Sequence, residues 1–172
     1  MATTYEAIAT VTVGSGGAAN IEFTSIPGTY TDLKLVLSTR DSKSTAVWSD
    51  MRVRFNSDSS SSYPMRLLYG DGASVASLNQ TDTGIIWVWA NSNNSTANTF
   101  SNAEMYIPNY TSSSNKSVSI DAVVENNAAT GLNALTAAQW SNSAAITSIL
   151  VAPGTANFLQ HSTATLYGIK NS

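Results

Sequence analysis

Apolar and polar residues alternate along most of this chain with a period of two, and no stretch sustains the spacing of an amphipathic helix. DLKLVLSTR sets Leu33, Leu35 and Leu37 on one side of an extended backbone. MRVRFN does the same with Met51, Val53 and Phe55, leaving Arg52 and Arg54 opposite. Glycine- and proline-containing turns, such as GSGGAAN at 14–20 and SIPGTYTD at 25–32, punctuate the runs. The pattern predicts an all-β fold of about ten strands. With no helical segment to carry a parallel crossover, the strands must pair mainly antiparallel. An antiparallel β-sandwich, jelly-roll-like, is the expected architecture, with other Greek-key sandwiches as the alternatives.

Other segments fill in this picture. Residues 5–13 form a first strand, and residues 1–18 could act as an N-terminal arm. Residues 73–78 are expected to pair with PMRLLYGDG. The chain closes on STATLYGIKNS, where Ala164, Leu166 and Gly168 alternate with Thr163, Thr165, Tyr167 and Ile169. Chain ends fray unless they are held, so a terminal strand this apolar is expected inside a sheet. NNAATGLNALTAAQW, at 126–140, alone invites a helix, but Leu132, Leu135 and Trp140 make no convincing stripe and Gly131 interrupts; a loop with at most a short turn of helix is expected there. Residues 1–172 read as a single domain of a size that can bury a proper core.

Composition narrows function. Charged residues make up 11% of the chain and the net charge is -3, against about 25% charged in ordinary domains. Ser, Thr and Asn take the place of charge. The eight Lys and Arg are scattered, which argues against nucleic acid as a partner. The absence of cysteine removes disulfides and thiol chemistry. No run approaches a membrane-spanning length, and MATTYEAIATVTV lacks the basic start and apolar core of a secretory signal. Synthesis and folding in a cytoplasm are expected.

No enzyme emerges. His161 is the single histidine and cannot build a multi-histidine metal site; a polar loop position beside the last strand is the expected role. No G-x-S-x-G elbow is present. The carboxylates look like turn and solvent-face residues, and NSDSSSS and YGDGAS lack the ligand spacing of an EF-hand. Catalytic residues, metal ligands and cofactors are all expected to be absent.

GIIWVWAN is the most informative interior stretch. Alternation places Ile85, Trp87 and Trp89 on one face and Ile86, Val88 and Ala90 on the other, so both faces are apolar. A sandwich strand with one face in water should be polar there. The second face must meet the chain's own loops, a second subunit or a ligand. Aromatic enrichment at interface cores makes Trp87, Trp89 and Ile85 candidates for subunit packing.

SIPGTYTDLKLVLSTR (25–40) resembles a segment of virion structural proteins of tailed bacteriophages, including cyanophages, in which an Ile-Pro-x-Thr-Tyr turn leads into a Leu-rich strand ending in Arg. RFNSDSSSSY (54–63) resembles their Arg-Phe-Asn segment and polar loop. AITSILVAPGTANFLQHSTATLYGI (145–169) is similar to their ending, with a turn from Gly154 to Phe158 before the last strand. The resemblance covers about half the chain; residues 66–142 carry none of it. It implies a β-sandwich structural protein of the virion, made in the host cytoplasm, with no catalytic residues to transfer. The expectation that follows is a capsid decoration, or cement, protein. It would bind the major capsid protein or other virion proteins as a homotrimer, with Tyr5, Arg52 and Arg54 as candidate capsid contacts. The alternative is a glycan-binding module of a tail or head fibre, with Tyr106 and Tyr110 stacking on sugar rings.

Overall fold

A computed structural model describes residues 4–128 and 131–170. Its strands are β1 (Tyr5–Thr12), β2 (Ile21–Phe23), β3 (Asp32–Thr39), β4 (Trp48–Phe55), β5 (Tyr63–Gly70), β6 (Val75–Asp82), β7 (Ile85–Asn91), β8 (Ser101–Ile107), β9 (Lys116–Glu125), β10 (Gly131–Trp140), β11 (Ile149–Pro153) and β12 (Thr163–Ile169). They form an eight-stranded sheet, ordered β1-β12-β3-β8-β9-β10-β5-β6, and a four-stranded sheet, ordered β2-β11-β4-β7. Every strand pairing is antiparallel.

The expected all-β sandwich is what the residues build, with twelve strands where about ten were read. The chain passes back and forth between the sheets. β2-β11-β4-β7 faces a second series β3-β8-β5-β6, the interleaving of a jelly roll. Two additions widen the second sheet: the β9–β10 hairpin is inserted between β8 and β5, and β1 and β12 extend it beyond β3.

The strong alternations behave as read. Leu33, Leu35 and Leu37 of β3 are buried, as are Met51, Val53 and Phe55 of β4. β12 lies between β1 and β3, so the C-terminal strand is interior as expected. Tyr30 packs its ring where a Cβ on Gly168 would stand, 2.3 Å from ring carbon Cγ, so only glycine fits there. β6 pairs with β5 along its whole length.

Residues 126–140 depart from expectation: 131–140 is the ten-residue strand β10, hydrogen-bonded to β9 and β5. Its pattern is inverted. Ala134, Thr136, Ala138 and Trp140 point inward, while Leu135 is 53% exposed. The reason lies across the sandwich. Cα atoms of β7 come within 8 Å of β8, β9 and β10, closer than the usual spacing of about 10 Å between packed sheets. Register places Ala103, Ala122 and Ala134 side by side across β8, β9 and β10. This alanine row accommodates β7, and Thr136 donates its hydroxyl to the Trp87 carbonyl at 3.1 Å. Large side chains here would push the sheets apart.

Candidate assembly surface

The core face of the eight-stranded sheet is covered by the four-stranded sheet; its other face is open. Register fixes what stands there. One row across β8, β9, β10, β5 and β6 reads Glu104, Asp121, Leu135, Leu68 and Ser77. The next row reads Tyr106, Ser119, Ala137, Arg66 and Asn79. Leu68 is 49% exposed and sits directly opposite Leu135 on the neighbouring strand. Val75, Val123, Tyr106 and Tyr5 are exposed as well. Single exposed apolar residues are ordinary, whereas a contiguous group marks an interaction surface.

Shallow hollows lie on this face. One, of about 310 Å³, is bounded by Tyr5, Lys34, Glu104, Tyr106, Asp121 and Leu135. Lys34 pairs with Glu104 at 2.7 Å, and that hydrogen bond raises the Lys34 pKa above its ordinary value. Tyr106 donates to Asp32 Oδ2 at 2.7 Å, while Asp32 Oδ1 accepts the Asn109 amide. The bond to Asp32 raises the Tyr106 pKa, since losing the phenolic proton would set a second negative charge beside a buried carboxylate. Tyr106 is therefore a fixed, half-open aromatic. Tyr5 and Tyr106, read from the sequence as belonging to two different functions, line the same hollow.

The other candidate positions fall elsewhere. Trp87, Trp89 and Ile85 are 7%, 2% and 0% exposed, which leaves them almost no surface for a second subunit. A bulge opposite Arg52 brings Val53 against Ile85, so Ile85 turns to the core instead of sharing a face with Trp89. Trp89 lies beside Trp48 at 5.0 Å and Tyr69 at 5.6 Å between ring centres, and its Nε1 donates to Asp50 Oδ1 at 2.8 Å. The chain covers its own tryptophans. Burial in turn raises the Asp50 pKa, with the Trp89 bond opposing it.

Tyr110 is wholly buried, with its hydroxyl donated to the Pro27 carbonyl, and offers no ring to a sugar. Arg52 reaches Asp82 at 3.2 Å, and Arg54 donates to the Thr83 carbonyl at 2.7 Å. Both arginines are half-buried and hold the turn between β6 and β7. Among the described residues, no group of three or more His, Asp or Glu stands close enough to hold a metal ion.

A second feature lies at one end of the sandwich, where loops converge on a polar cleft of about 560 Å³ that includes Asn93, Asn98, Asn157, Gln160 and His161. His161 takes a left-handed backbone with φ 72° and donates its amide to the Val13 carbonyl. Arg40, 6% exposed, underlies the cleft. Its guanidinium donates to the carbonyls of Asn93, Ser95, Thr96 and Thr99 at 2.8–3.4 Å. One fixed cation thus organises the 93–99 loop, and burial lowers the Arg40 pKa.

Sequence reasoning missed Leu68, Leu135, Arg66 and Asp121. LRLL-type doubling was the available signal: in PMRLLYG, Leu67 and Leu68 make that strand apolar on both faces, as in GIIWVWAN. Scans of protein-family models, curated proteins and solved structures find no match to this chain.

Proposed function

We propose that this chain is a structural protein of a tailed-phage virion, a decoration protein that binds the outside of the assembled head and stabilises it. The observation that carries the reading is the open face of the eight-stranded sheet, a broad surface on which Leu135, Leu68 and Val75 form an exposed apolar patch toward the β6 end among polar residues, as interfaces combine apolar and polar area. The resembling sequence stretches support it further. They fall on β3, on the ends of β4 and β5, and on β11 and β12, and in the fold β3 pairs with β12 and β4 with β11. Segments remote in sequence thus pair with one another within each of the two sheets. Low charge suits dense arrays of identical copies, because strong like charge would make neighbours repel. Binding that favours only the assembled shell stabilises it by mass action.

Co-sedimentation of the purified protein with expanded heads lacking it, and separately with host cells, tests the proposal. Saturable binding to heads at a fixed ratio to the capsid subunit is the expected result. Binding to cells alone, reversed by a soluble sugar, would replace it with the fibre reading. The cleft of Asn93, Asn98, Asn157 and Gln160 is the observation that favours that second reading, since side-chain amides match sugar hydroxyls.

A further inference from the structure

We infer that the open face of the eight-stranded sheet pairs with the same face of a second copy of this chain, about a twofold axis lying in the interface. The inference stands on charge and register; a dimer through this face would leave head binding to the other surfaces of the pair. Glu104 has its charge matched by Lys34. Asp121 and Arg66, on the same face, have no such match: neither belongs to an ion pair among the described residues. The one bond recorded for the Arg66 guanidinium is to the Met65 carbonyl at 3.0 Å. Two opposite charges thus flank Leu135 and Leu68 without meeting each other.

Register gives their separation. Asp121 is level with Leu135 on the neighbouring strand β10, and Arg66 is level with Ala137 on the far side of β10. They stand two strands and two residues apart, about 12 Å between Cα atoms, and form no ion pair with each other. The midpoint of the line joining them lies over β10, at the level of Thr136. A twofold axis through that point, parallel to the sheet and perpendicular to the line, brings Asp121 of each copy onto Arg66 of the other. On the same regular lattice, that operation carries Leu135 to within about 3 Å of the position facing Leu68 of the second copy. Both the charges and the leucines are then satisfied by one operation, the self-complementarity of an isologous interface. The strands of the two sheets would cross at roughly 70°, near the orthogonal class of sheet packing.

The axis stands over β10, the sixth of the eight strands, so the crossed sheets overlap over their β8-to-β6 part, roughly 500 Å² per partner, the scale of a small interface. Leu68 and Leu135 lie within this overlap; Glu104, Ser119 and Asn79 provide polar neighbours. A twofold pair differs from the homotrimer expected from the resemblance, and the measured oligomeric state distinguishes them.

Sedimentation velocity on the intact chain, over a concentration series, tests the pairing. A dimer is expected for the native protein. Arg66→Asp and Asp121→Arg should each weaken it about tenfold or more, because each sets like charges face to face. The double variant, Arg66→Asp with Asp121→Arg, should restore it. Both positions are exposed, and circular dichroism verifies that each variant stays folded. A native protein that remains monomeric would overturn the inference and leave the face to another partner. A dimer indifferent to both single changes, or a double variant no better than the singles, would overturn it equally.

Discussion

Replacing Ala122 with leucine probes a close approach of the two sheets. Ala122 is 1% exposed and stands between Ala103 and Ala134 in the row beneath β7. On β7, Ile85, Val88 and Ala90 turn to the core, all fully buried. The alanine row is already small, and β7 cannot retreat without drawing β4 with it, to which it is hydrogen-bonded. Three added carbons must therefore displace backbone instead of rotating a flexible neighbour. Overpacking of a well-filled core costs about 1–3 kcal/mol, and this site belongs near the top of that range. With a urea dependence of about 2 kcal/mol per molar, the unfolding midpoint should fall by about 1.5 M with an unchanged slope. The four tryptophans give the fluorescence signal, two of them on β7 itself. Asn102→Leu, on the exposed face of β8 beside Ala103, is the control and should change stability by no more than about 0.5 kcal/mol. If Ala122→Leu proves as mild as the control, the sheets are not held close by the alanine row and that account of β10's inverted pattern fails.

Two further perturbations address polar devices. Arg40→Lys leaves a charge but not a planar fork, and one ammonium cannot reach the carbonyls of Asn93, Ser95, Thr96 and Thr99 together; a loss of roughly 2 kcal/mol and faster hydrogen exchange confined to residues 93–99 are expected, and unchanged protection there would refute the assignment. Asp58 accepts hydrogen bonds from Ser60 at 2.6 Å and from the Trp140 indole at 2.7 Å, and these hold its carboxyl well below the usual carboxylate range. Because the folded pKa is depressed, its contribution to stability is complete above about pH 4, the unfolded value, and is lost as pH falls through the folded one. Asp58→Ala should therefore weaken the protein near neutral pH and flatten the acid limb of its stability curve, followed by urea titration at successive pH values; parallel curves for the two proteins would show that the carboxylate holds nothing.

How legible each element was in the sequence depends on how far its explanation lies along the chain. β3 and β4 announce themselves because Leu33, Leu35 and Leu37, or Met51, Val53 and Phe55, obey the simple rule that the larger apolar residues face inward. β10 obeys the opposite rule: Leu135 faces out and Thr136 in. What decides this is β7, a strand some fifty positions earlier, whose proximity admits only small residues. No window of the local sequence contains that fact. The same holds for Tyr110, whose neighbours in PNYTSSSN suggest an exposed turn, yet whose hydroxyl is satisfied by a carbonyl 83 positions away. The open sheet face was hidden for a related reason. Its two central leucines sit on β5 and β10, and only strand order makes them neighbours.

That strand order also has a kinetic side. Of the ten junctions in the two sheets, only β8–β9, β9–β10 and β5–β6 join strands consecutive in the chain. Those hairpins can form locally, while every other junction must close a long loop before any contact rewards it. The β1–β12 ladder, from Tyr5↔Ile169 to Thr12↔Thr163, closes one of the longest of all. Folding in milliseconds to seconds is the regime of such topologies. The three-strand meander β8-β9-β10 is then the natural early structure, and β1 and β12 are the last to be recruited.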